Sequence, residues 1–138
     1  MPALDLYHDQ AKNALVRDGW TITHDPLRLK WGGKDMYVDL GAEKIIAAEK
    51  GTQKIAVEVK SFIGASEMND IENAMGKYVV YASVITRTEP DRKLYLGIHE
   101  ETYLDIFESP LGELLLEDYQ VHLMVFDLER ERVIKWIP

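Results

Sequence analysis

The sequence predicts a mixed α/β fold, a central sheet flanked by helices, and three observations predict it. Lys54–Phe62, KIAVEVKSF, alternates Ile55, Val57 and Val59 with Ala56, Glu58 and Lys60, the period-two pattern of a half-buried strand. Met68, Ile71, Met75, Tyr78, Val79, Ala82 and Ile85 recur at spacings of three and four, a stripe whose first reading is the core face of a long helix. Lys93–His99, KLYLGIH, is apolar enough to be a central strand.

The remaining elements follow in chain order. Asp5–Asp18 reads as an amphipathic helix, with Leu4, Tyr7, Ala11, Ala14 and Leu15 at helical spacing and Gly19 suited to the stop. Trp20–His24 is a short strand ended by the turn pair Asp25-Pro26. Leu27–Trp31 and the Gly32-Gly33 break precede Met36–Leu40, read as a strand with Met36, Val38 and Leu40 inward and Asp39 outward. Ser66, after Gly64-Ala65, is the expected N-cap of the long helix. Thr86–Arg92 is a polar loop. Thr102–Ser109 reads as a short helix, and Pro110 opens another that runs to Asp118. Val121–Asp127 and Val133–Ile137 close the chain as strands joined across Leu128–Arg132.

Composition bounds the function. At 138 residues, 46% hydrophobic and 29% charged, the chain is expected to be a single globular domain. It has no cysteine, which excludes disulfides and thiolate metal sites. No apolar run is long enough to span a bilayer and no signal peptide opens the chain, so the cytoplasm is the expected address, with no membrane partner. A net charge of −8 argues against general nucleic-acid binding. The charge is uneven: residues 28–60 carry a local +2, whereas residues 100–132 carry ten acids against two bases. Such an acidic block is ordinarily a solvated face, and it is also a candidate partner surface, for another protein or a second copy of this chain.

The candidate chemistry lies in Asp39 and Glu58-Val59-Lys60. Alternation puts Glu58 and Lys60 on the same face of their strand. Two carboxylates and an ammonium that converge can hold a hard divalent cation through oxygen ligands and neutralise charge building on a phosphate. The competing reading makes Glu58 and Lys60 the solvated face of a sheet. Register is the discriminating issue. A tight hairpin at Gly51-Thr52 would pair Glu58 with Ile45 and Glu43 with Lys60, leaving Asp39 roughly 20 Å out of place. A bulge at Gly41, or a wider loop near Ala48-Glu49, would bring it back.

DGWTITHDP (Asp18–Pro26), DLGAEKIIAAEKG (Asp39–Gly51), IAVEVKSF (Ile55–Phe62) and IKWI (Ile134–Ile137) together resemble the XisH family, named for controlling excision of a DNA element in cyanobacteria. The resemblance implies a PD-(D/E)XK restriction-endonuclease-like core. It also implies Asp39 and Glu58 as metal-binding acids for Mg²⁺ or Mn²⁺, Lys60 as the catalytic lysine, and an XisI-like protein as partner. The Val59 carbonyl would complete the metal ligands, with Asp9 the candidate acid from the first helix. His24 is a candidate neighbour of the site, and Lys77 stands where glutamine is expected before Tyr78. Three readings stay open: a metal-dependent DNA endonuclease, a catalytically silent regulator on the same fold, and a structural α/β module.

Overall fold

The computed structural model describes residues 4–47 and 51–138. Its elements, in order, are α1 (His8–Arg17), β1 (Thr21–His24), β2 (Leu27–Trp31), β3 (Lys34–Val38), β4 (Leu40–Ala47), β5 (Gly51–Val59) and α2 (Glu67–Thr88). Then come β6 (Arg92–His99), the short α3 (Glu100–Thr102) running into a π-helical turn at Tyr103–Phe107, α4 (Pro110–Tyr119), β7 (Leu123–Asp127) and β8 (Arg132–Ile137). Six strands form one mixed sheet in the order β1-β4-β5-β6-β7-β8. The pairs β5–β6 and β6–β7 are parallel, as crossovers through α2 and through α3–α4 permit; the other pairs are antiparallel.

Helices cover both faces, so the domain has three layers. On one face Ala11, Ala14 and Leu15 of α1 pack with Ile55, Val57, Val59 and Phe126. On the other, Ile71, Ala74, Tyr78, Val84 and Ile85 of α2 pack with Ala56, Leu94, Leu96 and Ile98. β5 is therefore enclosed on both sides, with Ile55 through Val59 all buried. That corrects the half-buried strand expected from its alternation, since the polar alternates here also face a helix. Glu58, only 6% exposed, is no solvated surface residue.

Met36–Leu40 is not one strand. The chain bends at Asp39, and the β2–β3 ribbon turns through Gly32-Gly33, both at positive φ as a two-residue hairpin requires. Val38 is buried on the α2 side with Leu27 and Leu29; Leu40 is buried on the α1 side. Of the two registers left open, the tight hairpin at Gly51-Thr52 is excluded. Leu40 faces Val57 and Glu43 faces Lys54, so no Glu43–Lys60 pair forms and Asp39 comes level with Glu58. The irregularity lies between Ile45 and Ala47 instead of at Gly41, and Ala47 pairs with Gly51. The loop expected near Ala48-Glu49 falls outside the described residues.

Helix limits follow their caps. Ser66 Oγ accepts the Asn69 amide at 3.1 Å, and Ser109 Oγ accepts that of Gly112 at 3.3 Å. α1 starts three residues later than its stripe suggests, which leaves Leu4 61% exposed, while His8 is buried in its place. Among the described residues, no helix is long and apolar enough to cross a membrane.

Candidate functional site

β5 ends where the antiparallel half of the sheet meets the parallel half: it is antiparallel to β4 and parallel to β6. The carboxyl ends of strands in open α/β sheets are where ligands commonly bind. Side chains at alternate positions of β5 face α2, which directs Glu58 and Lys60 towards that helix. The bend at Asp39 folds its side chain back across the end of β5.

The two acids are tied together through backbone. Asp39 Oδ2 accepts the Val59 amide at 2.7 Å, and Glu58 Oε1 accepts the Asp39 amide at 3.3 Å. Asp39 Oδ1 and Glu58 Oε2 are left as oxygen donors. Burial raises the Glu58 carboxyl to about 8, helped by the charge of Asp39 and opposed by that of Lys77. Burial also raises Asp39, against the Val59 hydrogen bond and a hydrogen bond to Glu58. Burial and the repulsion between the two carboxylates thus both favour the protonated form of Glu58.

Cations are sparse around the pair. Lys77 Nζ lies 3.9 Å from Glu58 Oε2, and its side chain is half exposed. Lys60 turns to α2, with Nζ 3.6 Å from Asp70 Oδ1. Asp70 in turn accepts the Gly64 amide at 2.8 Å. A Cβ at Gly64 would meet Asp70 Oδ1 at 2.7 Å, so glycine admits this close approach. Of the expected constellation, then, Asp39, Glu58 and Val59 meet directly, while Lys60 shares their face but is engaged by Asp70.

The other expected neighbours separate clearly. Asp9 is exposed on α1; the acid that reaches this region is Asp5, whose Oδ1 accepts the Ser61 amide at 3.0 Å and whose charge also raises Asp39. His24 is exposed on β1, with Nδ1 2.9 Å from Thr23 Oγ1. Tyr78 leaves the site for the core: its hydroxyl donates to the Leu94 carbonyl at 3.2 Å and accepts the His122 amide at 3.0 Å. Tyr81, absent from the sequence argument, is the tyrosine near the pair. Burial and the charges of Glu58 and Asp39 push its phenol up to about 12. Its signal was present, since Lys77 and Tyr81 share a helix face four residues apart.

Among the described residues, no cluster of three or more His, Cys, Asp or Glu side chains is arranged to hold a metal ion. The donor chemistry nevertheless suits a hard cation: two oxygen ligands carrying excess negative charge in a buried position.

A mixed sheet covered by helices on both faces, with a buried acid pair at the end of a central strand, defines the class: an α/β domain with a carboxylate-centred site. The family profile described as XisH protein matches residues 1–134. The chain belongs to the XisH family. It superposes on an XisH family protein from Nostoc punctiforme PCC 73102 with a TM-score of 0.88 and 35% identity, covering 97% of this chain and 100% of that one. It is equally similar to an fdxN element excision controlling factor protein from Anabaena variabilis, with a TM-score of 0.87, 37% identity, and coverage of 96% and 98%. No curated protein matches the chain.

Proposed function

We propose that this protein is an XisH-type factor that controls excision of a DNA element, built on a PD-(D/E)XK-like core and acting as a Mg²⁺- or Mn²⁺-dependent endonuclease with an XisI-like partner. The observation that carries the reading is the buried Asp39–Glu58 pair. An acid pair kept dry, with one weak cation beside it, costs stability that a purely structural role does not require. Asp39 and Glu58 would hold the cation, together with the Val59 carbonyl. When bound, the cation would supply Lewis-acid stabilisation of a phosphate and a more acidic water. Lys60, released from Asp70, would orient that water or offset charge on the phosphate. Lys77 would hold Glu58 in place.

A second reading is favoured by a specific contact. Lys60 is committed to Asp70, as a silent regulator on the same fold would allow. Purified protein with Mn²⁺ and supercoiled DNA separates the two, with and without an XisI-like protein. The nuclease reading expects nicking that Lys60→Ala abolishes. It also expects Mn²⁺ to stabilise wild type and leave Glu58→Gln unchanged, by about 2.7 kcal/mol at a hundredfold excess over Kd. Equal cleavage by wild type and Lys60→Ala, or wild type indifferent to millimolar Mn²⁺, would overturn it.

A further inference from the structure

The stripe of α2 is wider than the core it meets. Met68 and Val79, which sequence spacing assigns to the core, are 49% and 42% exposed. They face α4 across an apolar groove of about 440 Å³, whose floor includes Ile71 and Leu115. Leu111 and Tyr119, 37% and 55% exposed, form its other wall. Leu111, Leu115 and Tyr119 recur every four residues, so α4 offers one continuous ridge, and α2 offers a second. Two such ridges with a gap between them are the seat of a third, amphipathic helix.

Charge decides what kind of helix. Glu72 lines the groove, and α4 carries Glu113, Glu117 and Asp118 with no basic residue. Both lie within a chain of net charge −8. A second copy seated here by two-fold symmetry would bring the same acids against one another, because such an interface apposes identical patches. We infer that the α2–α4 groove binds a partner protein through an amphipathic helix bearing apolar anchors at i, i+4 and i+7, flanked by Lys or Arg. On α2, the groove and Lys77 lie on opposite flanks of the buried stripe. Partner docking and the acid pair are therefore separable, and this inference does not depend on cleavage.

The test uses the full chain and a labelled 18-residue peptide with leucines at those spacings and lysines on the flanks, followed by fluorescence anisotropy. Saturable 1:1 binding is expected, weakened about tenfold or more by Val79→Lys and, independently on the other wall, by Leu111→Lys. Both positions are exposed, and thermal unfolding checks that each variant folds. Glu72→Lys with Asp118→Lys should weaken binding at low salt and lose most of that effect at high salt. A peptide with glutamates on its flanks should bind at least about tenfold more weakly than the lysine form. Binding indifferent to Val79→Lys and Leu111→Lys, or equal for the two peptides, would overturn the inference. So would a wild type that sediments as a dimer while Val79→Lys sediments as a monomer, since a second copy would then own the groove.

Discussion

Asp25 and the Asp39–Glu58 pair are both carboxylate sites close to α1 and the sheet, and they are built on opposite principles. Asp25 has two donors for one acid. His8 Nε2 lies 2.8 Å from Oδ1, and Lys12 Nζ donates to Oδ2 at 2.7 Å. Burial works to raise the Asp25 carboxyl, but the Lys12 hydrogen bond and the charge of His8 outweigh it, and the group sits below its usual range. Asp39 and Glu58 are two acids with one half-exposed lysine at 3.9 Å, and both are raised. The first arrangement stabilises the fold by being satisfied. The second is left unsatisfied at a place where a ligand could complete it. Burial and cation count together distinguish the two: Asp25 is an exposed residue with two donors, whereas Glu58 is buried with one half-exposed lysine beside it.

The largest test of this contrast is Glu58→Gln. The folded Glu58 carboxyl stands at about 8 against an ordinary 4.5, so folding retains a proton that the unfolded chain has released. Its contribution therefore lowers stability as pH rises from about 4.5 to 8, by up to about 5 kcal/mol. Gln keeps an acceptor for the Asp39 amide and adds a donor towards the Asp39 carboxylate. Urea unfolding across pH 5 to 8.5 should show a flatter profile in Glu58→Gln, and a variant more stable than wild type at pH 8. A variant that is less stable at pH 8 would make Glu58 another satisfied acid like Asp25.

Asp25→Asn should act in the other direction and by less. Removing the charge leaves buried His8 without its anion, and a loss of about 1–2 kcal/mol is expected at neutral pH. Because the Asp25 carboxyl is depressed, its stabilisation is present above the unfolded value of 3.8 and fades as pH falls through the folded one. The difference between wild type and Asp25→Asn should accordingly shrink in acid, measured by thermal unfolding from pH 7 to 3. A difference that persists at pH 3 would assign the effect to shape rather than charge.

Lys77→Met is the finest probe. Its ammonium is half exposed, so the loss in stability should stay below about 1 kcal/mol. The readable effect is titration: without the opposing Lys77 charge, the Glu58 carboxyl should move further up in a carbon-detected NMR titration. A Glu58 titration that does not move would show that Lys77 is a bystander.

Much of the architecture was legible because it rests on local periodicity. The β5 alternation, the α2 stripe with its Ser66 cap, and KLYLGIH each report their own element. Glu58 and Lys60 do share a face, as strand geometry dictates. What was not legible depends on distant partners. The burial of His8 follows from Asp25, seventeen residues away. The engagement of Lys60 follows from the rotational phase of α2, which brings Asp70 to it. Spacing places Tyr81 on the face of Lys77 but does not remove Tyr78 from the site; the Leu94 carbonyl and His122 amide draw Tyr78 into the core. The β4–β5 register was open because alternation on each strand fits more than one pairing, and only the long-range match of Leu40 to Val57 decides it.

The hydrogen bond from the Val59 amide to Asp39 has a consequence for any attempt to silence this site. The last rung that β4 gives β5 by main chain is near Leu40 and Val57; beyond it the chain veers off at Asp39, and a side chain finishes the hem of the sheet. Asp39 is thus stitching as well as a proposed metal ligand. Truncating it to alanine would unpick the edge as well as remove the acid, so a dead protein would report nothing about chemistry. Asparagine, which still offers an oxygen to Val59, removes the charge and leaves the seam closed.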